Sequence, residues 1–131
     1  MGMQRINRSP RRGFTLIELL VVLAAVALLL GVAAPRYVEH VDRAREAALR
    51  SNLAALRDAI DRFQADRGSY PNKLQDLVEG RYLRAVPIDP FTERADSWAV
   101  ISPAGRSSAQ VADVRSTASG TGRDGKRYAE W

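Results

Sequence analysis

An apolar run over residues 14–34 limits what this chain can fold into more than any other feature of the sequence. The run is 21 residues long and contains one charged side chain, Glu18. As an α-helix it would be about 31 Å long, at roughly 1.5 Å per residue, which matches the hydrocarbon core of a bilayer. We therefore predict a transmembrane helix at 14–34, with the remaining residues forming at most one small domain.

The charge around this run is unevenly distributed. The first 13 residues hold four arginines and no acidic residue, whereas the rest of the chain holds 16 basic and 15 acidic residues. Because basic residues before a span keep that end in the cytoplasm, the chain after Pro35 is expected across the membrane. The net charge of +5 belongs mostly to the N-terminal segment, so it does not indicate binding to nucleic acid.

A cleaved secretory signal peptide is the alternative interpretation of the same run, with cleavage near Ala34. The run is longer than the roughly 7–15 residues of a signal-peptide apolar region. Pro35 would also occupy the first position after the cut, where its ring fits a protease groove poorly. Both observations favour a membrane span.

Glu18 lies one helical turn into the span, where a carboxylate costs free energy unless it is compensated. In the simpler interpretation it reaches the membrane surface, is protonated, or pairs with Arg11 or Arg12. In the functional interpretation the chain is cut after Gly13, where the missing side chain leaves the backbone open to a protease. Phe14 would then carry a free α-amine, which supplies a positive charge.

The stretch RRGFTLIELLVV, residues 11–22, resembles the processing motif of type IV prepilins and of the pseudopilins of type II secretion. Counted from Phe14, the glutamate stands fifth and a proline stands twenty-second, as in that family. The resemblance implies that a prepilin peptidase cleaves after Gly13, removes the basic leader 1–13, and methylates the Phe14 amine. It also implies that Glu18 pairs with the Phe14 amine of a neighbouring subunit during assembly.

Residues 35–67 are predicted to continue the helix as an amphipathic segment. Pro35 removes one backbone hydrogen bond and should kink the helix rather than divide it, and Gly68 should end it. Apolar residues recur three or four apart along one face, and charged residues occupy the other. The apolar positions are Val38, Val41, Ala44, Ala48, Leu53, Leu56, Ile60 and Phe63.

Residues 68–131 are predicted to form a small α/β head. Its short strands cannot bury a core alone, so we expect them to pack against the apolar face of the helix. The expected fold class is α+β and type IV pilin-like, with a long N-terminal helix under a small three-stranded antiparallel sheet. The predicted elements are a short helix capped by Asn72, an irregular connection over 81–96, strands over 97–101 and 109–114 joined by a turn with Pro103 and Gly105, and a last strand over 126–131.

This head is most similar to the major, G-type pseudopilin of type II secretion. The resemblance rests on GSYP, on LRAVPIDPF, on a DV-S turn, and on a glycine-rich last loop, residues 115–125, which is followed by a terminal aromatic residue. Classical major pilins generally close this region with a disulfide, and this chain has no cysteine.

The G-type family binds calcium in its last loop through acidic side chains and backbone carbonyls. Here the resemblance leaves Asp113 and Asp124 as the candidate calcium ligands. Since Ca²⁺ takes about six to eight oxygens, and basic residues crowd this loop, we expect that hydrogen bonds hold it without a metal and keep calcium as the alternative. The crowding residues are Arg123, Lys126 and Arg127, and the expected hydrogen-bonding residues are Ser116, Thr117, Ser119 and Thr121.

No other pattern indicates catalysis or a cofactor. His40 is the only histidine and is expected on the exposed face of the helix. No nucleophile elbow, phosphate loop or paired-carboxylate pattern occurs. Trp98 and Trp131 are expected to anchor the head core, so we predict a structural protein rather than an enzyme.

The resemblance implies a subunit of a pseudopilus that drives protein export by type II secretion. Its expected partners are other copies of itself, the prepilin peptidase, the inner-membrane assembly platform and minor pseudopilins. The expected location is the inner membrane, with a cytoplasmic N-terminus and a periplasmic head, and then the periplasmic filament. A minor type IV pilin of a surface pilus or DNA-uptake filament and a membrane-tethered binding module are the alternatives, but a tether needs neither cleavage after Gly13 nor Glu18.

Overall fold

The protein is an α+β chain built on one long helix, as predicted. The computed structural model describes residues 1–3, 10, 12–104 and 109–131. Contacts divide the chain into two compact units, Met1–Glu39 and His40–Trp131. In chain order, the elements are helix α1 (Leu16–Arg67), helix α2 (Gln75–Glu79), strands β1 (Ala99–Ile101) and β2 (Asp113–Arg115), and a 3₁₀ helix (Tyr128–Glu130).

Helix α1 begins with the apolar run. Its apolar side chains from Leu16 to Val32 are exposed, and no residue of its most apolar 18-residue window is buried. In the part of the chain that the structure describes, α1 is the one helix long and apolar enough to cross a membrane. An exposed helix that is apolar on all sides is typical of a membrane span.

Pro35 lies inside α1 and does not divide it, as predicted. The helix continues to Arg67 and ends at Gly68, which has a φ of +70°. Glycine adopts this left-handed conformation without the steric penalty that a Cβ atom imposes. The Gly68 N–H donates the last helical hydrogen bond to the Gln64 carbonyl at 2.8 Å.

The core of the second unit is built on one face of α1, from Leu49 to Phe63. Its helical residues recur every three or four positions, with Ala59 and Ile60 adjacent, and they cluster with Leu77, Trp98 and Val114 from the head. The predicted face was wrong at its N-terminal end, because Val38, Ala44 and Ala48 are exposed and the buried face begins at Leu49. The buried residues of α1 are Leu49, Leu53, Leu56, Ala59, Ile60 and Phe63.

The sheet has two antiparallel strands among the described residues, with Val100 opposite Val114. The two strands are shorter than the predicted 97–101 and 109–114, and the second is displaced to Asp113–Arg115. In the predicted turn between them, Gly105 lies outside the described residues.

The predicted third strand was wrong, because Tyr128–Glu130 forms a 3₁₀ helix. In a strand, Tyr128 and Trp131 would point to opposite faces, since their separation is odd. A 3₁₀ turn places residues three apart on the same side. The two rings consequently meet edge to face, with their centroids 5.1 Å apart, and this contact favours the 3₁₀ turn over the strand.

The predicted cap of α2 was also wrong. Leu74, rather than Asn72, is the N-cap residue, and it makes no side-chain capping bond. Asp76 acts from inside the helix instead, because its Oδ2 accepts hydrogen bonds from the N–H groups of Asn72 at 2.9 Å and Lys73 at 3.2 Å. A carboxylate in the first turn also interacts favourably with the helix dipole.

Asp89 organises the irregular connection that precedes β1. Its side chain is fully buried, and its Oδ1 accepts hydrogen bonds from the N–H groups of Phe91 at 2.8 Å and Thr92 at 3.3 Å. Its Oδ2 accepts a hydrogen bond from the Ser116 hydroxyl at 2.5 Å. Asp89 therefore connects this loop to the residue that follows β2, a role that no local sequence pattern indicates.

We expect Asp89→Ala to destabilise the head by about 3 kcal/mol, because it leaves two backbone N–H groups and a buried hydroxyl without their acceptor. In the control Asp89→Asn, the amide oxygen can still accept both backbone bonds, so the loss should be less than half as large. Thermal unfolding of the full chain in detergent, followed by the near-ultraviolet circular dichroism of its tryptophans, measures both. Equal losses in the two variants would contradict this account.

Candidate functional site

The predicted cleavage position is exposed. Gly13 and Phe14 precede α1 in backbone that is neither helix nor strand. Nothing lies within 4 Å of the position that a Cβ atom would occupy at Gly13, and the Phe14 side chain is 90% exposed. The Gly13–Phe14 peptide bond is therefore accessible to another protein.

Glu18 forms a capping box with Thr15 at the start of α1. The Thr15 Oγ1 accepts a hydrogen bond from the Glu18 N–H at 3.2 Å, and the Glu18 Oε2 accepts one from the Thr15 N–H at 3.3 Å. This reciprocal pattern satisfies two N–H groups that a helix start leaves without partners. This role was not predicted, although T-x-x-E before an apolar run is the sequence signature of a capping box.

The structure gives Glu18 a local explanation and leaves it accessible. Its side chain is exposed, and within the described part of the chain it forms no ion pair. Arg12 therefore does not pair with it, and Arg11, the other partner considered, lies outside the described residues. The capping box therefore holds the Glu18 carboxylate near the start of α1, and the side chain stays exposed.

The two candidate calcium ligands are each paired with an arginine of α1. The Asp113 Oδ1 accepts a hydrogen bond from Arg57 Nε at 2.8 Å, and the Asp124 Oδ2 accepts one from Arg50 Nη2 at 2.9 Å. A hydrogen bond from the Lys126 N–H, together with the Arg50 charge, holds the pKa of Asp124 below its ordinary value. Each of the two aspartate side chains is therefore already paired with a protein cation.

The acidic side chains at the last loop do not converge on one point. Among the described residues, no three acidic or histidine side chains come together as metal ligands would. Calcium prefers several carboxylate or carbonyl oxygens around one point, whereas Asp113 and Asp124 bind separate guanidinium groups.

Two of the four hydroxyl groups that were expected to form hydrogen bonds in this loop do so. The Ser116 hydroxyl bonds to Asp89, and the Thr117 hydroxyl donates to the Ser97 carbonyl at 2.6 Å. Ser119 and Thr121 make no side-chain hydrogen bond within the described residues. The last loop also contacts Glu46 of α1, whose Oε1 accepts hydrogen bonds from the Arg123 N–H at 3.1 Å and the Tyr128 hydroxyl at 3.2 Å.

The aromatic residues of the head have structural roles. Trp98 is 7% exposed and donates from Nε1 to the Pro87 carbonyl at 2.8 Å. Trp131 is half-buried and covers Gly122 so closely that an added Cβ would lie 2.3 Å from its ring. Burial and the neighbouring Glu46 carboxylate raise the pKa of the Tyr128 phenol. His40 is exposed, as predicted.

Comparisons with known proteins cover both the span and the head. The family described as "Prokaryotic N-terminal methylation motif" matches residues 8–34. Type II secretion system core protein G of Klebsiella pneumoniae is 30% identical in an alignment that is 109 positions long and covers 71% of this chain and 76% of that protein. The protein of the same name from Vibrio cholerae is 26% identical in an alignment that is 131 positions long. This alignment covers 86% of this chain and 88% of that protein.

A fimbrial protein is also similar to this chain. Fimbrial protein EcpC of Eikenella corrodens is 27% identical over 127 residues, covering 93% of this chain and 74% of that protein. No solved structure matches the chain. Since each of these alignments is much longer than the apolar run, the similarity is not confined to the membrane span.

Proposed function

This chain belongs to the family of type II secretion system core protein G. From that premise we propose how it is processed, how it assembles and where it is located. It is a pseudopilin, a structural subunit of the pseudopilus of type II secretion. The apolar half of α1 fits an anchor in the inner membrane.

We propose that a prepilin peptidase removes residues 1–13 by cleaving after Gly13 and then methylates the new Phe14 amine. Support comes from the match of residues 8–34 to the methylation motif and from the exposure of the Gly13–Phe14 bond. A small residue before the cut leaves room for a protease groove.

Assembly then pairs Glu18 of one subunit with the Phe14 amine of the next. An isolated charge in hydrocarbon is costly, but a carboxylate and an ammonium that meet there compensate each other. The capping box supports this arrangement, because Thr15 holds one carboxylate oxygen and thereby fixes the position of the group.

The subunit takes a defined path from membrane to filament. It enters the inner membrane as a single-pass protein with its N-terminus in the cytoplasm and its head in the periplasm. It then joins a homopolymer through contacts with the assembly platform and the minor pseudopilins. This role requires neither catalysis nor nucleic acid, and we propose that it requires no cofactor.

The intact mass of the chain purified from the membranes of its host tests this proposal. The expected species is residues 14–131 carrying one added methyl group, and a strain that lacks the gene should retain the substrates of type II secretion in the periplasm. An unprocessed chain of 131 residues would favour a membrane-tethered binding module instead.

A subunit of a surface pilus is the second candidate, supported by the similarity to Fimbrial protein EcpC. The two filaments differ in where they end, because a pseudopilus stays in the periplasm. Shearing of cells that produce the protein at its normal level separates the candidates. Release of filaments of this chain into the medium, with normal protein export in the deletion strain, would favour the surface pilus or a DNA-uptake filament.

A further inference from the structure

Arg57 of helix α1 joins two separate parts of the head. Its Nε donates to Asp113 Oδ1 at 2.8 Å, and its Nη2 donates to the Val114 carbonyl at 3.0 Å. The same Nη2 also donates to the main-chain oxygen of Trp131 at 2.8 Å. One guanidinium on α1 thus holds both strand β2 and the segment that follows the 3₁₀ helix.

Arg50 lies two turns earlier on the same side of α1 and contacts the last loop, which lies between β2 and the 3₁₀ helix. Its Nη2 donates to Asp124 Oδ2 at 2.9 Å, and its guanidinium carbon lies 4.1 Å from the centre of the Trp131 ring. A guanidinium can form an ion pair in its plane and a cation–π contact with its face at the same time. Residues seven apart share one helix face, so Arg50 and Arg57 act on the same surface of the head.

The space beside this loop is lined by more positive than negative groups. A cavity of about 420 Å³ is bordered by three cationic side chains, those of Arg50, Arg57 and Lys126, and by the two carboxylates of Asp124 and Glu130. Arginine is always charged. A divalent cation that entered here would be repelled by these groups and would compete with them for Asp124.

We propose that Arg50 and Arg57, together called the arginine clamp, replace a bound calcium ion in holding the last loop of this pseudopilin. The clamp does what a metal would do, because it neutralises Asp113 and Asp124 and links distant segments through charge-assisted hydrogen bonds. Its cations are part of the chain, so the head keeps its structure whatever the calcium concentration. This inference concerns the stability of the head and does not depend on the processing or on the export proposed above.

Calcium dependence of unfolding is the first test. The full chain is unfolded by heat in detergent, with a calcium chelator or with about 1 mM Ca²⁺, while the near-ultraviolet circular dichroism of its tryptophans is recorded. We expect Tm to agree within about 1 °C in the two conditions. A site whose Kd lies a hundredfold below the added calcium would raise Tm by about 10 °C or more, and a shift of even half that size, reversed by chelator, would overturn the proposal.

Substitution of the clamp is the second test. We expect Arg50→Gln to lower Tm by about 4 °C and Arg57→Gln by about 8 °C or more, since Arg57 makes three hydrogen bonds. Arg62→Gln is the matched control, because Arg62 is on the same helix, is 68% exposed, and forms its ion pair with Asp58 four residues earlier. Its Tm should fall by less than about 2 °C.

A double-mutant cycle identifies the partner of Asp124. If Arg50 neutralises it, Asp124→Asn should cost little further stability in a chain that already carries Arg50→Gln. If a metal neutralises it, Asp124→Asn should remove a calcium response that Arg50→Gln leaves intact, and the proposal fails. Arg50→Gln is the milder change, so the test stays decisive even where Arg57→Gln prevents folding.

Discussion

Replacing Glu18 by Gln is expected to abolish pseudopilus assembly while leaving helix α1, membrane insertion and cleavage intact. The Gln amide oxygen can still accept the hydrogen bond from the Thr15 N–H, so the capping box survives. The negative charge does not survive, and insertion becomes easier by up to about 3 kcal/mol. What is lost is the partner of the Phe14 amine, which must then enter lipid uncompensated each time a subunit is added.

The size of this effect follows from repetition. Polar contacts between helices in membranes average about 0.6 to 2 kcal/mol each, which would be a modest loss at one site. An uncompensated ammonium in hydrocarbon costs more than the contact itself, because its desolvation is no longer offset. Since every subunit meets this cost, we expect secretion to fall at least tenfold.

Three further variants separate the two roles of Glu18. Thr15→Val removes the hydroxyl of the capping box and keeps the charge, so it should assemble almost normally. Glu18→Asp, shorter by one methylene, should show an intermediate defect, and Glu18→Ala should be at least as defective as Glu18→Gln. Secretion and filament formation are measured beside the mature mass of each subunit. Normal filaments from a fully processed Glu18→Gln chain would reduce Glu18 to a helix-capping residue.

Replacing Gly13 by Leu is expected to leave the leader attached to every copy of the chain. The substitution does not strain the protein itself, because nothing lies within 4 Å of the Cβ position at Gly13. Any loss of cleavage therefore reflects the fit of the new side chain in the peptidase. Without cleavage no α-amine forms at Phe14, and assembly should stop as well.

The matched control for this variant is Gly31→Leu. Gly31 also has nothing within 4 Å of its Cβ position, but it lies in the apolar run, far along the chain from the cut. We expect this variant to be processed normally, so its mature mass should differ from that of the mature wild type only by the mass of the substitution. Intact-mass measurement of membrane fractions decides the matter, and a processed Gly13→Leu chain would show that the peptidase does not require glycine here.

The membrane span, the continuity of α1 and its end were all predictable from the sequence. Each depends on signals that are contiguous or nearly so along the chain. An apolar run needs only its own length to match a bilayer, and Gly68 needs only its own backbone freedom to end a helix. The processing motif around Gly13 is local in the same way, and the capping box of Thr15 and Glu18 could have been predicted from the same residues.

The head was decided by contacts between residues far apart in the sequence. Arg57 and Asp113 are 56 positions apart, and Arg50 and Asp124 are 74 positions apart. No local sequence pattern predicts a pair that is so widely separated. Residues 126–131 could form a strand or a turn at similar local cost, and the ring contact of Tyr128 with Trp131 favours the turn. Local propensities in such short segments differ by little free energy, and tertiary packing therefore selects the structure.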